Sequence, residues 1–178
     1  MTGRALARVA GLSQSTAQRA LGRLRDSGLV VVEQAPPALV YRANVEHLAM
    51  PALQALLRLD ERLRAGLVEQ VADWQQPPAS LVVYGSVARG KATATSDVDV
   101  LVVRPDTIEP DEAIWQGQLA GLADRVVRWT GRRASVVEMS AREAGDGMAS
   151  LEPFLIEADR DGWLIYGAAL HELAARRA

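Results

Sequence analysis

Two apolar segments, each next to a polar turn, constrain the fold of this chain most strongly. Residues 81–84 run directly into Gly85 and Ser86, and residues 98–103 follow the polar residue Asp97. Short valine-rich runs bounded by polar residues predict buried strands. A helix that begins at Ser86 presents unpaired N–H groups at the end of the first strand, which suits phosphate binding. Gly85 allows a close approach to the backbone, the Ser86 hydroxyl adds a donor, and Arg89 can pair with a phosphate or a carboxylate.

A pair of acidic residues at the second segment predicts a metal site. Asp97 and Asp99 are two positions apart on a strand, so both side chains leave the same face. Adjacent carboxylates repel each other, and this is costly unless a cation lies between them. Mg²⁺ suits such a site because it is bound by carboxylates together with nucleotide phosphates. A phosphate-binding turn beside a metal-binding pair predicts phosphoryl or nucleotidyl transfer.

The segment Gly-Ser-Val-Ala-Arg-Gly at residues 85–90, followed by Asp-Val-Asp at 97–99, resembles the signature of the DNA polymerase beta-like nucleotidyltransferase superfamily. The resemblance is to its minimal bacterial members and extends over residues 80–140. It implies an α/β (α+β) nucleotidyltransferase fold with a small mixed sheet and flanking helices. By the same resemblance, Gly85 and Ser86 bind the triphosphate, and Asp97 and Asp99 bind Mg²⁺ and act in catalysis.

The activity implied by the resemblance is the transfer of a nucleoside monophosphate, with ATP as the expected donor of AMP. The expected acceptor is a hydroxyl of a protein, of a small molecule or of an RNA end. Some minimal relatives are antitoxins that adenylylate a partner toxin, which makes a toxin protein a candidate partner. Larger relatives modify aminoglycosides.

A third carboxylate is expected on the next strand, because the resembled family has one about four residues after a glycine. Counted from Gly131, that position is Ser135, which cannot act as a carboxylate, and the nearest acid is Glu138. Glu138 and Ser135 point to opposite faces of a strand. Two alternatives remain at this stage. Either the strand is shifted in register and Glu138 is the third catalytic acid, or the site contains only Asp97 and Asp99.

The N-terminal segment predicts a second, smaller module. Residues 2–44 read as helix, turn, helix and hairpin, with Ser13 as the N-cap of the second helix and Gly28 just after its end. This order resembles a winged helix-turn-helix of bacterial regulators, without the helix that normally precedes it. Side chains on the outer face of the second helix are candidates for DNA contact. These are Ser15, Gln18, Arg19 and Arg23.

The division of the chain follows from these patterns. We predict a winged helix-turn-helix at 1–44, a helical linker at 45–78 that is broken near Pro51, and the nucleotidyltransferase domain at 79–178. Residues 1–48 carry six basic and three acidic side chains, a net charge of +3, whereas the rest carries 14 basic and 19 acidic ones, a net charge of −5. This asymmetry indicates different partners for the two parts. An alternative function is therefore a DNA-binding regulator whose degenerate second domain only senses a nucleotide.

A homodimer is expected under both hypotheses, because the apolar stripe on residues 53–71 and the incomplete N-terminal module need covering. Trp129 is expected to pack in the core, with base stacking as the alternative. Arg132 and Arg133 are expected to be solvated, with contact to a triphosphate or a partner as the alternative. Arg176 and Arg177 are expected to match the dipole at a helix C-terminus.

The amino-acid composition excludes several kinds of chemistry and of metal site. There is no cysteine and there are only two histidines, so thiolate chemistry, disulfides and histidine-rich metal sites are excluded. Apolar residues make up 49% and charged residues 24%, which is typical of a packed domain. No apolar run approaches the roughly 20 residues of a membrane-spanning helix, and the N-terminus lacks an apolar signal core. We therefore expect a cytoplasmic protein without membrane contact.

Overall fold

The computed structural model describes residues 1–93 and 95–175. Two compact units, Met1–Leu59 and Asp60–Ala178, divide the chain. This boundary differs from the expected one, which assigned residues 45–78 to a linker. Arg176 and Arg177 lie outside the described residues.

The first unit contains two helices and a β-hairpin, followed by a further helix. Its elements are α1 Gly3–Val9, α2 Gln14–Asp26, β1 Val30–Ala35, β2 Ala38–Ala43 and α3 Met50–Leu57. Ser13 caps α2 as predicted, since its hydroxyl accepts a hydrogen bond from the Thr16 N–H at 3.2 Å. Gly28 follows the helix with a φ of 76°, a conformation in which glycine has no steric cost. The antiparallel strands β1 and β2 are joined at Pro36 and Pro37.

The expected helical linker is two helices that lie in different units. The break is at Arg58, with φ −102° and ψ 24°, and not near Pro51, which occupies the first turn of α3 where proline is tolerated. The next helix, α4 (Leu59–Ala72), has a buried stripe of leucine and valine in the core of the second unit. Its members are Leu63, Leu67 and Val71. Burial of this stripe makes α4 a core element of the second unit instead of a linker.

A four-stranded mixed sheet forms the centre of the second unit. Its strands are β3 Ser80–Tyr84, β4 Val98–Arg104, β5 Ala134–Ser140 and β6 Trp163–Gly167, in the spatial order β5-β4-β3-β6. Strand β3 is antiparallel to both β4 and β6, whereas β4 and β5 are parallel. The remaining helices are α5 Gly85–Ala88, α6 Ala113–Thr130, α7 Ala141–Ala149, α8 Pro153–Asp161 and α9 Leu170–Ala175. The prediction of a small mixed sheet with flanking helices is confirmed.

Helices cover both faces of this sheet, and each face has its own core. One face, with Val98, Val100 and Val102, packs against α4 and α6. The opposite face, with Leu101 and Val103, packs against α7, α8 and α9. Two-sided coverage explains why β4 is almost continuously apolar after Asp99. Among the described helices, none is both long enough and apolar enough to span a membrane.

Candidate active site

The site begins where β3 ends and β4 starts, because the two strands are antiparallel. Tyr84, the last residue of β3, lies opposite Asp99, the second residue of β4. Gly85 follows with a φ of 73°, which L side chains rarely adopt. A Cβ atom placed on Gly85 would overlap the Asp99 carboxylate at Oδ2. Both the backbone conformation and this close approach therefore require glycine at position 85.

The turn after Gly85 is compact. Helix α5 is a single turn and not the start of a long helix, because Gly90 adopts a φ of 63° and the Lys91 N–H donates to the Ser86 carbonyl at 2.9 Å. The indole N–H of Trp163 in β6 donates to the Ala88 carbonyl at 3.0 Å, which fixes the turn to the sheet. Ser86 lies in the first turn of α5, where helix N–H groups have no intrahelical acceptor.

Electrostatic interactions show that the predicted metal-binding residues and Arg89 are close together. Burial, and then the charge of Asp97, raise the pKa of Asp99, while the charge of Arg89 lowers it. Burial, followed by the charge of Asp99, also raises the pKa of Tyr84. Because the pKa of Asp99 is raised overall, a positive charge close to Asp97 and Asp99 would stabilise their ionised forms.

The structure does not bring Glu138 to the other two acids. In the parallel pairing of β4 with β5, Asp99 lies opposite Ser135, and Glu138 lies opposite Val102. Glu138 is therefore three positions further along the sheet and on the opposite face. Its carboxylate accepts a hydrogen bond from Arg104 Nε at 2.7 Å, and the Arg104 side chain is only 10% exposed. The register shift needed for a third acid does not occur, and Glu138 neutralises a buried arginine.

The residues present fit a Mg²⁺ ion that is also bound by a nucleotide. Asp97 and Asp99 supply two carboxylates, and the absence of a Cβ on Gly85 leaves room for the Asp99 carboxylate. No group of three acidic, histidine or cysteine side chains suited to a metal occurs among residues 1–93 and 95–175. Mg²⁺ typically takes one or two carboxylates and completes its shell with water and substrate phosphates.

Two residues near the site were not predicted from the sequence. Tyr84 shares a face of the sheet with Asp99, and its ring lies 6.0 Å from that of Phe154 in α8. Glu157, also in α8, lies 3.8 Å from Arg89. Strand alternation across the antiparallel pair provides a signal for Tyr84, whereas the contact of Glu157 depends on how α8 packs.

The candidate DNA-contacting residues lie together in the first unit. Ser15, Gln18, Arg19 and Arg23 are all exposed on α2. Three and four positions separate Ser15 from Gln18 and Arg19, and four separate Arg19 from Arg23, so they share one side of the helix. The buried side is formed by Ala17 and Leu21. The hairpin tip at Pro36 and Pro37 carries no basic side chain.

Residues 65–140 match the sequence profile of the Nucleotidyltransferase domain family. The matched segment begins within α4, includes the turn at Gly85 and the Asp97–Asp99 pair, and ends with β5. This match supports an enzyme of the nucleotidyltransferase class. A search of curated proteins finds no significant match.

Solved structures with low sequence identity are similar to part of the chain. Two are toxin–antitoxin crystal structures, one of a mutant MntA–HpeT pair and one with AMP-PNP. They are 13% and 14% identical, cover 64% of this chain and 82% of the other, and give TM-scores of 0.43 and 0.42. A third, described as a nucleotidyltransferase from Sulfolobus solfataricus, is 19% identical, with coverage of 65% and 86% and a TM-score of 0.37.

Proposed function

We propose that this protein is a Mg²⁺-dependent nucleotidyltransferase that transfers a nucleoside monophosphate, AMP from ATP, to a hydroxyl of a protein or a small molecule. The observation that supports this most directly is the packing of Gly85 against the Asp99 carboxylate. It brings the turn that we propose for phosphate binding next to one of the two carboxylates that we propose for metal binding. A nucleotide bound at the turn would then present its phosphates to the metal.

Each residue has a defined role in this proposal. The backbone at Gly85 and the hydroxyl of Ser86 bind the triphosphate, and Arg89 neutralises part of its charge. Asp97 and Asp99 hold Mg²⁺, which supplies charge stabilisation at the reacting phosphate. With Glu138 paired to Arg104, the described residues include no group of three acidic, histidine or cysteine side chains suited to a metal, so the third acid of the resembled family has no counterpart here. We therefore expect slow transfer.

Radioactive transfer tests the enzymatic proposal. The full chain is incubated with each of the four α-labelled nucleoside triphosphates, Mg²⁺ and either a candidate toxin protein or cell lysate. Label from ATP should appear on an acceptor, and EDTA or Asp99→Asn should abolish the signal. Equal labelling by the wild type and the Asp99→Asn variant with every nucleotide would contradict the proposal. A toxin acceptor is suggested by the resemblance of the 85–99 motif to adenylylating antitoxins.

A second candidate function is a DNA-binding regulator that senses a nucleotide. The exposed residues of α2 support it, since they follow a short helix and a turn in the order of a winged helix-turn-helix. Duplex DNA from upstream of the gene is used in a gel shift at low and high salt, because phosphate contacts make binding salt-dependent. Arg19→Ala should weaken binding. Arg25→Ala is the matched control, because Arg25 on the same helix is already paired with Asp26 at 2.7 Å. Absence of a shift at low salt would refute this function.

We also propose that the protein is a homodimer. Apolar side chains of α3 are exposed, with Leu56 at 61% and Leu57 at 86%. A second copy would remove this surface from water. Light scattering coupled to size exclusion should give twice the mass of the chain, and the double variant Leu56→Ser, Leu57→Ser should give a monomer. A monomeric wild type would contradict the dimer.

A further inference from the structure

A surface with basic and aromatic side chains adjoins the candidate active site, and none of its residues has a role in the functions proposed above. Arg125, Arg128 and Trp129 lie three and four positions apart in the last turns of α6, so they share one side of that helix. Arg132 and Arg133 follow in the turn before β5. We refer to Arg125, Arg128, Trp129, Arg132 and Arg133 as the α6 surface.

The tryptophan of this surface is exposed, in contrast to the expectation that it would pack in the core. Trp129 is 44% exposed. One edge of its ring lies against Gly66 of α4, where an added Cβ would approach the ring to 3.0 Å. The guanidinium of Arg125 lies over the ring, 5.8 Å from its centroid, which is within cation–π range. The ring is thus held in place and still accessible.

The positive charges of the arginines on the α6 surface are not neutralised by neighbouring acidic side chains. None of the four forms an ion pair with an acidic side chain within the described part of the chain, whereas Arg25, Arg42, Arg89, Arg104 and Arg160 each do. Arg128 can interact with the helix dipole in the last turn of α6, but this interaction does not require a cluster of four. The cluster is notable because the second part of the chain is acidic overall.

The position of this surface relative to the active site is fixed by a backbone hydrogen bond. The Val98 N–H donates to the Arg133 carbonyl at 2.8 Å, and Val98 lies between Asp97 and Asp99. The turn with Arg132 and Arg133 therefore adjoins the end of β4 that carries the carboxylate pair.

We propose that the α6 surface binds single-stranded nucleic acid. An accessible, immobilised ring and unpaired guanidinium groups match the two repeating parts of such a strand, the base and the phosphate. Base–aromatic stacking combined with a basic track is the usual basis of sequence-tolerant binding to single strands. Bases of a duplex are already stacked and are not available to Trp129. The binding requires neither Mg²⁺ nor nucleotide, so it does not depend on the proposed transferase activity.

Fluorescence anisotropy with the full chain and a labelled mixed-sequence 20-nucleotide RNA tests the proposal, in EDTA and without nucleotide. The triple variant Arg128→Ala, Arg132→Ala, Arg133→Ala should weaken binding at least tenfold. Its slope of log affinity against log salt should be smaller by about 2, at roughly 0.7 per phosphate contact. Trp129→Ala should weaken binding about tenfold, and Trp129→Phe much less, because a phenyl ring still stacks.

The controls separate this surface from other sources of binding. Arg160→Ala removes an arginine from α8, on the opposite face of the sheet, where Asp161 already pairs with it at 2.8 Å, and should leave binding unchanged. Arg25→Ala should also leave it unchanged, because Arg25 is paired with Asp26 at 2.7 Å and has no assigned contact with nucleic acid. No binding at 50 mM salt, or equal binding by the triple variant, would overturn the proposal. Equal competition by duplex DNA or polyglutamate, with no effect of Trp129→Ala, would show that charge alone is recognised and would overturn it as well.

Discussion

Substitution of Gly85 by alanine tests the central geometry of the site. Alanine at a φ of 73° costs about 1–2 kcal/mol, since L residues are disfavoured in this region. In a domain of this size, that corresponds to a decrease in melting temperature of about 4 °C per kcal/mol. The new methyl group would also displace the Asp99 carboxylate, with which it overlaps. We expect this displacement to reduce transfer about a hundredfold, the effect of a misplacement of roughly 1 Å.

Gly131→Ala is the matched control for Gly85→Ala. Gly131 has a φ of 69°, and an added Cβ would contact nothing within 4 Å. It therefore carries the same backbone cost without a clash. Thermal unfolding and initial transfer rates are measured for both variants, with and without Mg²⁺ and a non-hydrolysable nucleotide. Both should melt at lower temperature, but only Gly85→Ala should lose the stabilisation that ligands provide. If Gly85→Ala transfers label within threefold of Gly131→Ala, the close approach of Gly85 to Asp99 has no catalytic importance.

Three further predictions concern single side chains. Because the folded state raises the pKa of Asp99 above 3.8, ionisation costs stability as the pH rises through the folded pKa. In EDTA, Asp99→Asn should therefore melt increasingly above the wild type as the pH rises from 3.8 through the folded pKa of Asp99, and Mg²⁺ should stabilise only the wild type. A difference in melting temperature that does not change with pH would show that ionisation of Asp99 beside Asp97 does not destabilise the fold. Glu138→Gln leaves the buried Arg104 charge unpaired and should cost about 2–4 kcal/mol in urea unfolding, with unchanged transfer per folded molecule. Loss of transfer by a stable variant would restore Glu138 as a catalytic acid. Ser13→Ala should lower the stability of the first unit by about 1 kcal/mol in the same assay, and an unchanged midpoint would mean that this cap contributes nothing.

Local sequence patterns were sufficient to predict several of the helices and strands. The apolar run at 98–103 predicted β4. Ser13 predicted the start of α2. These features depend on residues within one turn or one strand, so the sequence alone contains them. The turn at Gly85 and the spacing of Asp97 and Asp99 likewise indicated the chemistry, and the match of residues 65–140 supports the same enzyme class.

Contacts between distant segments required the tertiary structure. The apolar stripe of α4 is equally compatible with a linker helix and a core helix, and only its packing under the sheet assigns it to the second unit. Glu138 has the right residue type for a third ligand, but the register of β5 against β4 places it on the other face, next to Arg104. Tyr84 lies beside Asp99 only because β3 and β4 are antiparallel. The register of a strand depends on which of its faces is buried against the rest of the core, and here the core is formed by segments that are distant in the sequence.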